Sequence, residues 1–322
     1  MMKGLGDGLH RIAVPLPFPA PSTVNSYVIE GDNGLTLIDV GVRDDDGHEA
    51  IGSALRSGGF GWDDVTRVVG SHLHVDHIGG ARRIVEELDI EFVMHESTGS
   101  SLGWYNDWGT RTDTFSRYAA RHGAPTESVE RLASSWQRPS WYDVAIAPSR
   151  PVADGDEIAI TRDRHLEVVF TPGHQDNHIA LIDSRTGIWF SGDHILPRIS
   201  PFIPHMDDDK DTLGTYLDSV ARVEDGEAGL TLPGHGSMIE QGDARARQIH
   251  AHHERRLQDT FEALETGPTT AWDLMGRIFR PNLSLGQQRL AIQETLAHVE
   301  HLRRRGRVVA AEDSGVVRFR LR

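Results

Sequence analysis

The stretch Ser71-His72-Leu73-His74-Val75-Asp76-His77-Ile78-Gly79-Gly80 follows directly on Val65–Gly70, an apolar run that reads as a buried strand. Three imidazoles and one carboxylate fall within six positions. On an extended loop, side chains two apart point to the same side. His72 and His74 can therefore reach one cation, and Asp76 with His77, just beyond, can reach a second. Imidazole with carboxylate and no thiolate suits Zn²⁺, with Mn²⁺ and Fe²⁺ as alternatives. A helix from about Gly80 to Leu88 then closes a strand–loop–helix unit of the kind that builds α/β proteins.

Three further strand ends supply what this loop lacks. Thr171-Pro172-Gly173-His174 follows Leu166–Phe170, Ser191-Gly192-Asp193-His194 follows Ile188–Phe190, and Leu232-Pro233-Gly234-His235-Gly236 follows Gly229–Thr231. Each is a strand, a tight glycine turn and then a metal-ligand side chain, so each is deliverable to one sheet edge. Ser26–Glu30 and Leu35–Val40 read as a hairpin around Asp32-Asn33-Gly34. Glu91–His95, Glu157–Ile160 and Ile179–Asp183 are further strands.

The chain has 322 residues, enough for a large α/β domain with an appendage. It has 18 histidines and no cysteine, which removes disulfides, thiolate metal sites and cysteine nucleophiles. No apolar stretch is long enough to cross a bilayer. The opening residues, Met1 to Pro19, lack the continuous apolar region of a secretory signal, so the expected location is the cytoplasm. The net charge is −15. From Asp243 to Arg322 there are 14 Arg, no Lys and 10 Asp or Glu, a net of +4, which leaves −19 for the preceding residues. That break sets the expected domains at 1–242 and 243–322.

Ser97 to Arg150 interrupts the strand pattern as a helical insertion, with helices at Thr112–His122 and Ser128–Ser135. It holds Trp104, Trp108, Trp136 and Trp141, four of the seven tryptophans, together with Tyr105, Tyr118 and Tyr142. It reads either as a packed insertion or as a lid bringing an aromatic wall to the metal loop. The tail reads as helices Ala244–Glu265, Ala271–Phe279 and Leu285–Arg305, then strands Val308–Ala311 and Val316–Leu321.

The order His72-x-His74-x-Asp76-His77, then His174, Asp193 and His235, resembles the dinuclear hydrolase branch of the metallo-β-lactamase superfamily, from about Leu9 to Gly242. The resemblance implies an α/β fold, an αββα sandwich with its metals at one sheet edge. It also implies two divalent ions: His72, His74 and His174 on the first, Asp76, His77 and His235 on the second, Asp193 between them. Asp39, in Leu37-Ile38-Asp39-Val40-Gly41, matches the family's buried acidic residue, orienting a ligand rather than binding metal. Histidine at position 74 sets the chain apart from the di-iron flavoproteins. Asp193 points away from true lactamases and towards glyoxalase-II-like thioesterases, lactonases, phosphodiesterases and nucleases. The full ligand set argues against a mononuclear persulfide dioxygenase.

The tail, with Ile249–Leu257, Leu296–Leu302 and the closing hairpin, resembles the winged-helix extension of the lactamase-β-like protein 2 group, which includes ribonucleases acting on single-stranded RNA. Arg303, Arg304, Arg305 and Arg307, with Arg318, Arg320 and Arg322, are the candidates to track phosphates. A homodimer contact or a wall of the active-site cleft is the favoured role.

The expected activity is metal-dependent hydrolysis. A hydroxide bridging two ions attacks the carbonyl of a small acyl substrate, a thioester or a lactone, with Asp76 or Asp39 orienting it. A phosphodiesterase or single-stranded RNA endonuclease is the alternative, and a metal-stabilised DNA-binding module the third. His194 is the candidate to touch substrate or shuttle a proton, His178 to hydrogen-bond behind the ligands. His205, between Pro197 and Asp211, is expected to be exposed.

Overall fold

The computed structural model describes residues 1–18, 20–142 and 146–322; Pro19, at the end of the opening segment, and residues 143–145, inside the expected insertion, lie outside the described residues. The chain forms two compact units, each assembled from separate segments. The first holds Met1–Asn106, Pro139–Pro201 and Ser219–Ala246, and the second Asp107–Arg138, Phe202–Asp218 and Arg247–Arg322. The expected insertion is helical, but residues 97–106 belong to the first unit and 107–138 to the second.

The first unit contains two sheets. One has seven strands in sequence order: β1 (Lys3–Gly6), β2 (Leu9–Pro15), β3 (Thr23–Gly31), β4 (Gly34–Ile38), β5 (Val65–Val69), β6 (Glu91–His95) and β7 (Arg150–Val152). β1 to β4 pair antiparallel, and β4 to β7 pair parallel. The other has β8 (Glu157–Thr161), β9 (Arg164–Phe170), β10 (Ile179–Asp183), β11 (Trp189–Gly192) and β12 (Thr231–Pro233), in the order β12-β11-β10-β9-β8. β3, β4, β6, β10 and β11 are buried at most consecutive positions, so both of their faces are covered. Tyr27, Ile29, Ile38, Val69 and Val93 of the first sheet share one core with Ile158, Leu166, Val168, Leu181 and Phe190 of the second. The two sheets are thus the inner layers of a sandwich.

Helices α1 (Asp45–Ser57) and α3 (Ala81–Leu88) pack on the seven-stranded sheet, and the single-turn α2 (Val75–Ile78) and α4 (Thr98–Asn106) complete the early helices. Asp44 caps α1 by accepting from the Gly47 N–H at 2.7 Å. The second unit holds α5 (Trp108–Arg121) and α6 (Thr126–Ser135). α7 (Thr212–Asp225) and α8 (Gly242–Ala263) have residues in both units. α9 (Ala271–Ile278), α10 (Leu285–Arg304) and the hairpin β13 (Val308–Asp313) and β14 (Val316–Leu321) finish the chain. Thr270 caps α9, and Ser284 with Gln287 forms a capping box on α10. No helix among the described residues is long and apolar enough to cross a membrane.

His205 is a correction. It was expected to be exposed, yet it is buried, with Nδ1 3.1 Å from Thr212 Oγ1. Its segment joins the second unit instead of looping into solvent.

Candidate metal centre

All seven residues marked by the sequence lie in the first unit, at strand ends. The loop after β5 carries His72 and His74, α2 carries Asp76 and His77, and the turns after β9, β11 and β12 carry His174, Asp193 and His235. These turns are tied together by backbone. Ile179 N–H donates to Ser71 C=O, Gly234 N–H to Gly192 C=O, and Asn25 N–H to Gly234 C=O, at 2.9, 2.7 and 2.7 Å. The Tyr27 hydroxyl and the Asn25 amide both donate to Pro233 C=O. At two turns only glycine fits. A Cβ on Gly192, whose φ is +48°, would stand 2.7 Å from His178 Nε2, and one on Gly234 would stand 2.5 Å from His77 Cε1.

The side chains form two groups, His72, His74, His174 and Asp193 in one and Asp76, His77 and His235 in the other, each with ligand atoms within 4.8 Å of one another. In the first, His74 Nδ1 lies 2.9 Å from His72 Nε2 and 3.0 Å from His174 Nε2. In the second, His235 Nε2 lies 3.2 Å from Asp76 Oδ2. Asp193 adjoins both: Oδ2 is 3.8 Å from His174 Nε2 and 3.7 Å from His235 Nε2, and Oδ1 is 3.5 Å from His77 Nε2.

His72, His77 and His235 are each oriented by a partner on the far side of the ring. Asp39 accepts from His77 Nδ1 at 2.7 Å, and from the N–H and hydroxyl of Ser71, each at 2.8 Å. Ser71 Oγ meets His72 Nδ1 at 2.9 Å, and His235 Nδ1 donates to Thr23 C=O at 2.8 Å. Asp39 has φ of +56°, a left-handed conformation that aspartate tolerates better than most residues and that turns the chain beneath the metal loop.

The electrostatics suit cations. Burial, then the neighbouring imidazoles, hold His72 well below its ordinary value, and burial with His174 brings His74 to about 3, so both are neutral with a lone pair to offer. Burial alone would raise Asp76, but His77 and the hydrogen bond to His235 outweigh it and bring it to about 2. Asp193 is likewise driven down by His77 and His235 against its burial. His77 is raised despite burial, by Asp193, Asp39 and Asp76, and His235 is raised by Asp193 and Asp76. Ionised carboxylates and imidazoles are thus packed at one place. Buried His77 Nε2 and Asp193 Oδ1 face each other, and neither has a hydrogen-bond partner among the described residues. Ligand atoms held about 2.0–2.2 Å from one tetrahedral cation stand roughly 3.4 Å apart, so the two atoms fit a shared ion.

The remaining histidines lie behind the groups. His178 Nε2 accepts the Asp193 N–H at 3.1 Å, and its Nδ1 meets Thr171 Oγ1 at 2.7 Å, which holds the Asp193 turn. His194 belongs to neither group. Its ring is fully buried 5.9 Å from that of His178, and burial holds it down at about 3. Trp141 packs on Phe18, and Trp108 on Trp136 within the second unit. One insertion residue that reaches the centre's surroundings is Tyr105. Its hydroxyl donates to Gln175, whose amide nitrogen is 2.5 Å from His74 Nε2. Sequence reasoning passed over Gln175, although it adjoins His174.

A family model described as the metallo-β-lactamase superfamily matches residues 19–235, and one described as a metallo-β-lactamase-like C-terminal domain matches residues 257–322. A Bacillus subtilis protein named probable metallo-hydrolase YqjP is 26% identical over 317 residues, 96% of each chain. A β-lactamase-like protein 2 homolog of Drosophila melanogaster is 25% identical, over 74% of this chain and 67% of its own. The crystal structure of a metallo-β-lactamase family protein from Thermus thermophilus superposes with a TM-score of 0.80 at 29% identity, covering 99% of this chain and 100% of that one. A β-lactamase domain protein from Burkholderia ambifaria gives 0.84 at 26% identity, over 100% and 94%.

Proposed function

The chain belongs to the metallo-β-lactamase superfamily, and from that premise we propose that it is a dinuclear metal-dependent hydrolase of a small acyl substrate, a thioester or a lactone. The observation that carries the reading is Asp193, one carboxylate adjoining the imidazoles of both ligand groups. In this reading His72, His74 and His174 hold one ion, Asp76, His77 and His235 hold the other, and Asp193 serves both. Zn²⁺ suits these donors best. Ions so held supply Lewis acidity and bring the pKa of a bound water down to about 7.

The protein's residues do the positioning. Asp39 fixes the His77 ring and the Ser71 turn together. Asp76, kept ionised beside His235, is placed to orient an incoming nucleophile. Asp76 and Asp193 among the ligand groups, with Asp39 behind His77, supply carboxylates that would offset the charge of bound cations. A thiolate leaving group needs little acid assistance, in keeping with a centre whose His194 is buried and belongs to neither ligand group. The relative named as a probable metallo-hydrolase supports the hydrolase reading. Residues 1–242 are then the catalytic domain and 243–322 a winged-helix-like domain.

One observation favours the alternative, a phosphodiesterase or single-stranded RNA endonuclease. On β14, Arg318 and Arg320 are exposed while Val317 and Phe319 are buried, and Arg322 continues the exposed row. Elemental analysis of zinc-saturated protein is expected to give two ions per chain. A panel of thioesters, lactones, phosphodiesters, β-lactams and single-stranded RNA is expected to single out an acyl compound. One ion per chain would overturn the dinuclear centre, and turnover confined to RNA would overturn the substrate class.

A further inference from the structure

Gln175 belongs to neither ligand group, yet its side chain, in a residue only 7% exposed, lies against one of the candidate ligands. Its amide nitrogen stands 2.5 Å from His74 Nε2, and its amide oxygen accepts from the Tyr105 hydroxyl. We infer that Gln175 is a positioning residue for His74, its amide turning to accept from Nε2–H when Nδ1 ligates, and that Tyr105 on α4 holds Gln175 in turn. The inference rests on the metal reading above.

The geometry runs through one proton. His74 aims Nδ1 at His72 and His174, and Nε2 away from them. A neutral imidazole carries a proton on one nitrogen only, and a nitrogen that ligates a cation carries none. Ligation through Nδ1 therefore places the proton on Nε2, where the N–H of a half-buried ring calls for an acceptor. The Gln175 amide supplies one. With the nitrogen facing His74 the amide suits the tautomer protonated on Nδ1. A half-turn about its last bond brings Oε1 to His74 and suits the tautomer protonated on Nε2. The same half-turn lets the amide donate to the Tyr105 oxygen, so both ends stay partnered in either arrangement.

His74 differs here from His77 and His235. His77 has a carboxylate behind it and His235 a backbone carbonyl, acceptors that impose one tautomer. Behind His74 stands an amide that accommodates both, and its far end is tied to a helix of the expected insertion. Metal affinity at the first group and the placement of α4 are thereby linked through two side chains.

The test compares the full-length wild type with Gln175→Leu, Gln175→Glu and Tyr105→Phe. Each is checked for folding by circular dichroism before zinc is added. Zinc affinity is then measured by competition with a chelator, and the ring tautomer of His74 by long-range proton–nitrogen spectra of the zinc-loaded protein. Gln175→Leu is expected to weaken one class of zinc site by about 10–100-fold, as loss of an orienting partner does. Gln175→Glu accepts from Nε2–H and is expected to restore most of that affinity. Tyr105→Phe should fall between the wild type and Gln175→Leu. The wild-type spectra should show His74 protonated on Nε2. Wild-type protein that takes up no zinc would overturn the metal reading and this inference together. Normal wild-type loading with unchanged affinity in Gln175→Leu, or equal losses in Gln175→Leu and Gln175→Glu, would overturn this inference alone.

Discussion

Asp193 and His178 are neighbours through one hydrogen bond, but their loss removes different things. Truncating Asp193 takes away the carboxylate that adjoins both ligand groups. Truncating His178 takes away an acceptor for the Asp193 backbone N–H and leaves the carboxylate in place. Asp193→Ala is therefore expected to abolish paired metal binding and to lower kcat/KM far beyond the roughly 10–100-fold expected of His178→Ala. Metal content and steady-state kinetics of the two variants check this, and equal losses would reverse the roles given to them. The sequence alone made the candidate ligands readable, because His72, His74, Asp76 and His77 sit so close together. It did not reveal the partners that aim them. Thr23 acts through its backbone carbonyl, which any residue possesses, and Ser71 and Gln175 are polar side chains of a kind scattered along the chain. Asp39 was readable as an acid at a strand end. Its three hydrogen bonds depend on a left-handed backbone that no spacing announces. Removing it would leave the Ser71 N–H buried without that acceptor, a loss of about 1–3 kcal/mol.

Elements were legible where apolar runs ended in glycine turns, as at β5, β9 and β11. They were less so where burial is partial. β1 is mostly exposed and β7 has three residues, so neither carries an alternating pattern long enough to read. α7 escaped notice although its Tyr216 and Val220 are fully buried. Helices α8 and α10 were legible, but their shared interior was not. His253 and His298 are buried against each other, with His253 Nδ1 3.1 Å from His298 Nε2 and His298 Nδ1 donating to Glu294 C=O at 2.7 Å. Burial, then the other imidazole, brings His253 to about 2, and burial brings His298 to about 3. Both are neutral in the fold, whereas in the unfolded chain they take protons below about pH 6.5. The unfolded state then binds more protons, so stability falls with falling pH, from about 6.5 down to the folded values. The slope is about 1.4 kcal/mol per pH unit for each imidazole. Replacing both with glutamine should flatten this dependence, measured as the difference in thermal unfolding between variant and wild type from neutral pH down to about 4. A difference that does not change with pH would exclude the pair as the source.

At the scale of the whole molecule, charge sets the test that separates the two proposed substrate classes. The chain carries −15 overall, with +4 on the residues from Asp243 onward and −19 before them. Like charge repels a polyanion over about 8 Å at physiological salt. Much of the arginine cluster expected to meet phosphates is already engaged inside the second unit. Arg303 Nε donates to Glu300 at 2.5 Å, Arg304 donates to Asp208 C=O at 2.8 Å, and Arg307 stacks over Phe261 with its guanidinium 4.1 Å from the ring centre. The exposed row on β14, Arg318, Arg320 and Arg322, is what remains most regularly displayed. Three contacts to a single strand would give a log–log salt dependence of roughly −2, from about −0.7 per contact. RNA binding is therefore expected to be weak and non-specific, to fall with that slope as salt rises, and to lessen in Arg318→Glu and Arg320→Glu. Turnover of an acyl substrate should barely respond to salt or to those two changes. Filter-binding and turnover measured across the same salt series make the comparison. Metal-dependent cleavage of single-stranded RNA at physiological salt, lost in His74→Ala and weakened by the β14 reversals, would overturn the proposed acyl substrate in favour of the nuclease alternative.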